Sequence, residues 1–152
     1  EVVLGRVDGP LRDMGFTVMD GPFWSLMPFG RSDEVSLTSV GLTPLRRNSL
    51  EARFACQQSR RDCTPVHLAD CSLCPVRPAS GVTHMQQQVA LFLKSADMFT
   101  PRSRMLTVKA VLRSTEVDDA RPTLVTKEDG LNVWTVFSGK VSTLFDLDKE
   151  LL

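Results

Sequence analysis

Four cysteines crowd into one stretch of the chain. Cys56, Cys63, Cys71 and Cys74 follow the spacing C-x6-C-x7-C-x2-C. Two thiolates separated by two residues, as in Cys71 and Cys74, can bite a tetrahedral zinc ion at about 2.3 Å. Cys56 and Cys63 would complete a four-thiolate site, and His67 is a spare ligand. The gain would be structural, because this block has little apolar content to hold it together. The longer gaps depart from common zinc-ribbon spacing, so unlinked thiols and disulfide or redox use stay open beside a structural metal. Disulfides are favoured in secreted proteins, and no charged-then-apolar leader follows Glu1, so a cytoplasmic location is expected. A redox C-x-x-C normally sits at a helix N-terminus. Pro75, Pro78 and Gly81 argue against a helix there.

The same region is basic. From Arg46 to Arg77 there are six arginines against Glu51, Asp62 and Asp70, whereas from Glu116 onward there are eight acids against four bases. Two solvated faces of opposite sign would account for this, as would a basic lid drawn to an anionic ligand. The totals, 18 basic and 18 acidic residues, cancel. A dedicated nucleic-acid binder would carry surplus Lys and Arg. The longest unbroken apolar run is Val89 to Leu93, far short of the ~20 residues needed to span a membrane. A chain of 152 residues with 42% apolar and 24% charged side chains is long enough for one domain with its own core.

Three blocks must position these residues. In the first, from about Leu11 to Val40, Phe16–Met19 reads as a strand and Asp20-Gly21-Pro22 as a turn. Phe23–Phe29 reads as a second strand whose Pro28 indicates an edge position. A third is carried by the alternation of Val35, Leu37 and Ser39 with Ser36, Thr38 and Val40. The second block, residues 41–83, has no sustained period and holds every cysteine. It reads as a long irregular insertion, of the kind used for lids, binding loops or stapled subdomains. In the third block, the stripe Met85, Val89, Phe92 and Ala96 predicts a helix over His84–Met98, stopped by Pro101. Leu106, Val108, Ala110 and Leu112 alternate with Thr107, Lys109, Val111 and Arg113, which predicts a long strand. Leu124–Thr126 and Val133–Phe137 predict two more, joined by Glu128-Asp129-Gly130. Ser142 is a fair N-cap for a terminal helix reaching Leu152, with Leu144, Phe145, Leu147 and Leu151 as its apolar face. The expected class is therefore α+β, a mainly antiparallel sheet with two helices and a long cysteine-rich loop.

Several catalytic signatures are missing from the sequence. No two of its nine glycines are separated by one residue, so the dinucleotide fingerprint G-x-G-x-x-G cannot be written on it. The phosphate loop, G-x-S-x-G and H-E-x-x-H are missing as well. With only His67 and His84, a nucleophile–His–acid triad has few ways to form, and no general base can be named.

Two stretches carry a resemblance. Asp20-Gly21-Pro22-Phe23-Trp24-Ser25-Leu26-Met27-Pro28-Phe29-Gly30 resembles a segment in the substrate domain of FAD-dependent oxidoreductases of the glycine oxidase, D-amino-acid oxidase and glycerol-3-phosphate dehydrogenase superfamily. Asp118-Asp119-Ala120-Arg121-Pro122-Thr123, followed by Phe137-Ser138-Gly139-Lys140-Val141-Ser142-Thr143, is similar to their C-terminal return. There an R-P strand leads into a G-G-K-[LI]-T-T turn and a helix. Ser138 stands where the glycerophosphate branch has Gly and Ser142 where it has Thr, so that branch's substrate is not implied. The cysteine-rich block is not general in the superfamily.

The resemblance covers the chain from about Gly15 to its end, and it implies a substrate (cap) domain plus return segment over 1–152. It also implies an N-terminal FAD-binding domain upstream that carries the missing fingerprint. The complete enzyme would oxidise an amine, amino acid or hydroxy compound, and the fragment alone would be inactive. Ser138, Gly139, Lys140, Val141 and Ser142 would line the cofactor. Gly139 would allow close approach of a flat ring, and the following helix N-terminus would favour negative charge on a reduced flavin. Equally, Gly139 would simply end a strand and Ser142 cap a helix. Arg121 would grip a substrate carboxylate with its planar fork, or else pair locally with Asp118 and Asp119. Phe23 and Trp24 would wall an active site or pack into the core. Two alternatives lie outside catalysis: a stand-alone interaction module stapled by a four-cysteine zinc site, and an inert degenerate fragment.

Overall fold

The structure is a computed structural model that describes residues 1–50, 54, 56, 74–94, 99–111, 123–137, 145, 147 and 148. The chain divides into two compact units, Glu1–Val108 and Lys109–Leu152.

The first unit is built on a five-stranded antiparallel sheet. Its strands are β1 (Val2–Val7), β2 (Phe16–Thr17), β3 (Trp24–Pro28), β4 (Val35–Ser39) and β5 (Phe99–Met105), in the spatial order β2-β3-β4-β1-β5. Helix α1 (Val82–Ala90) packs on β3 and β4. Successive side chains of a strand point to opposite faces. Burial follows that period: Val3 and Val7 of β1, Trp24 and Leu26 of β3, and Val35 and Leu37 of β4 all point into the core. Val3, Leu37 and Leu26 lie in register across three neighbouring strands. Met85 and Val89 close this face from α1, four residues apart on one side of the helix. Each fully buried side chain of this size contributes about 1.5–3 kcal/mol.

The alternation expected for Val35–Ser39 is present residue for residue. The strand expected over Phe23–Phe29 is β3, but its place in the sheet is internal rather than at an edge. Pro28 is tolerated for a local reason. β2 pairs β3 only at Leu26 and Ser25, so β3 has no strand on that side beyond Leu26. The next residue, Phe29, sends its N–H to Glu34 on the β4 side at 2.9 Å. The nitrogen of Pro28 therefore points the other way, where no ladder needs a donor. Gly30, with φ +63, turns the chain into β4. Ser32 closes that turn by donating from Oγ to the Phe29 carbonyl at 2.8 Å.

Three expectations are corrected. β1 lies ahead of the block in which strands were sought. The helix expected over His84–Met98 starts at Val82 and ends at Ala90. Its last turn tightens: Leu91 N–H donates to Gln88 and Phe92 N–H to Val89, three residues back in each case. The Phe92 ring then sits edge-on to Trp24, centroids 6.0 Å apart, which adds about 0.5–1.5 kcal/mol. Pro101 does not stop the helix but lies within β5. The strand expected from Leu106 is displaced, since β1 pairs with 99–105 and residues 106–111 have no regular structure. Alternation marks strands that could form, and the available partner selects one.

The second unit contains a hairpin of β6 (Leu124–Lys127) and β7 (Trp134–Phe137). It matches expectation, and Leu131 N–H closes its turn on the Glu128 carbonyl at 3.2 Å. Leu147 and Asp148 carry helical backbone. The rest of the expected terminal helix, and residues 51–53, 55 and 57–73 of the cysteine-rich block, lie outside the described residues. The architecture is α+β, mostly antiparallel sheet with one helix among the described residues.

β1 and β5 come unusually close at Gly5. A Cβ added there would lie 2.5 Å from the Thr100 carbonyl oxygen and 2.7 Å from the Phe99 ring. Gly5→Ala is expected to cost about 1–3 kcal/mol through forced displacement. Urea unfolding checks this, and an unchanged midpoint would refute the close-packing account.

Candidate functional site

The sequence-derived site residues are placed only in part. Cys56 and Cys74 are free thiols of intermediate burial. Cys63, Cys71 and His67 lie outside the described residues, as do Arg121, Ser138, Gly139, Lys140, Val141 and Ser142. Among the described residues no three His, Cys, Asp or Glu side chains cluster as a metal site. No helix among them is long and apolar enough to cross a membrane.

The hairpin lies in sequence between the two halves of the C-terminal motif. Leu124 pairs directly with Phe137, and cross-strand partners in such a ribbon lie about 4.5–5.5 Å apart. Arg121-Pro122-Thr123 enters the ribbon immediately before Leu124, and Ser138-Gly139-Lys140 leaves it immediately after Phe137. The chain thus enters and exits at the same end of the ribbon, although fourteen residues separate Thr123 from Ser138 (124 to 137).

In the first unit, α1 packs on one face of the sheet. The opposite face carries Leu4, Arg6, Thr17, Ser25, Ser36 and Thr38, in positions alternating with the core residues. Val2 and Met27, and Met105 on β5, share that face, so it mixes hydroxyls with apolar side chains. The Thr17 and Ser25 hydroxyls are 3.2 Å apart, and Ser36 Oγ donates to the Met27 carbonyl at 3.3 Å. Arg6 stands at its rim, 3.2 Å from Asp8 and 3.6 Å from Asp33. Hydroxyls of this kind can donate and accept toward a polar ligand. The Phe23-Trp24 pair is divided by this geometry. Trp24 is 1% exposed and belongs to the core, while Phe23 is 47% exposed. Phe23 also has φ +40, a backbone conformation that a bulky residue rarely adopts.

A polar cluster on the helix side was not foreseen. The Glu1 carboxylate is fully buried and accepts from Arg104 Nη1 at 3.2 Å and from the Gly81 N–H at 2.8 Å. Gly81 is the N-cap of α1, so the carboxylate meets both a guanidinium and the positive end of a helix. Arg104 Nη1 also donates to the Pro78 carbonyl at 3.2 Å. One ion pair therefore ties the start of β1, the start of α1 and the end of β5. Beside it, an open groove of about 190 Å³ is lined by Val3, Ser80, Val82, Pro101, Arg102 and Ser103 together with Arg104. Pockets for drug-sized ligands run to roughly 300–1,000 Å³, so this groove would admit only a small group. The sequence signal was Arg102-Ser103-Arg104, charge placed where an edge strand tolerates it.

No protein-family model, no characterised protein and no solved structure matches the chain.

Breaking the ion pair should be costly, because it leaves a buried carboxylate without its cation. Arg104→Met is expected to lose about 3 kcal/mol, and the double variant E1Q/R104M to recover part of it. Urea unfolding of the two single variants and the double variant checks this; additive losses would show that the pair is not coupled.

Proposed function

We propose that the chain is the substrate-domain portion of an FAD-dependent oxidoreductase acting on an amine, amino acid or hydroxy compound. The reading rests on the Asp20–Gly30 segment and on the two-part C-terminal motif. One structural observation is consistent with it: Leu124, which follows the first half of the motif in sequence, pairs with Phe137, which precedes the second half. Segments meant to act on one ligand need such a return, since 14 residues of extended chain would otherwise hold them tens of ångströms apart, at about 3.3 Å per residue. The antiparallel sheet, covered by a helix on one side and carrying hydroxyls among apolar side chains on the other, suits a domain that presents a wall to a substrate.

In this proposal the flavin supplies the redox chemistry when bound, and the protein orients and desolvates. Arg121 holds a substrate carboxylate through two parallel hydrogen bonds. The Ser138–Ser142 segment contributes backbone N–H groups and a glycine at which a flat ring can approach.

The adenine and pyrophosphate site would belong to the FAD-binding domain, so this chain alone is expected not to bind free FAD at micromolar concentration. Fluorescence titration of the purified chain measures this, and micromolar binding would overturn the division of labour proposed here. The same proposal requires G-x-G-x-x-G, following a strand, in the coding sequence upstream of Glu1. Expression of that longer chain should then give protein carrying the flavin's visible absorbance; a colourless, folded product would reject the reading.

In the complete enzyme, Arg121→Ala is expected to lower kcat/KM for carboxylate-bearing substrates by about 10- to 100-fold, the worth of a charged hydrogen bond. Turnover of an amine lacking the carboxylate should change little. Steady-state kinetics on a matched substrate pair checks this, and an equal loss on both substrates would assign Arg121 to structure instead.

A further inference from the structure

We draw no further inference here: the strongest candidate, the open groove where the end of β5 meets the N-terminus of α1, has its Arg104 already engaged by Glu1 and Pro78, and nothing in the structure shows what would occupy the space that remains beside Arg102.

Discussion

A methyl group at residue 5 would meet the Thr100 carbonyl oxygen and the Phe99 ring well inside van der Waals contact. The first unit depends on glycine at this position, because β1 lies between β4 and β5. With a side chain there, β5 could not keep its register and Phe99 could not reach the core it helps to close. The ladder is irregular at this very place. Leu4 pairs with Ser103 but Gly5 pairs with Pro101, so Arg102 is an extra residue on β5, a bulge that bends the edge strand. Glycine on one strand and a bulge on the other accommodate an aromatic ring laid against the main chain.

Polar contacts fix how α1 sits on this sheet, where apolar packing would allow sliding. Ser39 Oγ, buried at the end of β4, donates to Gln88 Oε1 at 2.7 Å, and Gln86 Nε2 donates to the Phe99 carbonyl at 3.2 Å. At the other end of the helix the Glu1–Arg104 pair holds Gly81. Hydrogen bonds of this kind add only about 0.5–1.5 kcal/mol each. Their larger effect is on specificity, because a helix displaced by one turn would leave the buried Ser39 hydroxyl and one oxygen of the Glu1 carboxylate without their partners. Both sheet edges are poor templates for another strand. β2 is two residues long, and β5 carries Pro101, a bulge and two arginines.

What the sequence made legible was local. The strict alternation of Val35–Ser39 and the turn residues around Gly130 each specify an element without help from distant parts of the chain, and both are found where expected. The failures share one cause, which is dependence on a partner. Residues 106–112 alternate better than 99–105, yet Phe99–Met105 form the strand because β1 and the Phe99–Gly5 contact select them. Phe92 fits the apolar stripe of a longer helix, but Trp24 is its partner and the helix tightens there. The Glu1–Arg104 pair spans 103 positions, a separation at which no spacing rule operates. Of the cysteines, Cys56 and Cys74 are described, as free thiols, while Arg121 and Ser138 to Ser142 lie outside the described residues.

The hairpin of the second unit bears most directly on the proposed function. Its cross-strand pairs, Leu124 with Phe137 and Val125 with Val136, contribute about 0.2–1 kcal/mol each, and Lys127 lies 5.4 Å from the Trp134 ring centroid. A two-stranded ribbon is marginal in water on such terms. Yet Leu124, Val133, Trp134 and Val136 are all more than 40% exposed, so apolar side chains occur on both faces of the ribbon. A ribbon evolved to stand alone would keep one face polar. A ribbon that forms part of a larger enzyme, as proposed, would carry apolar surface in this way.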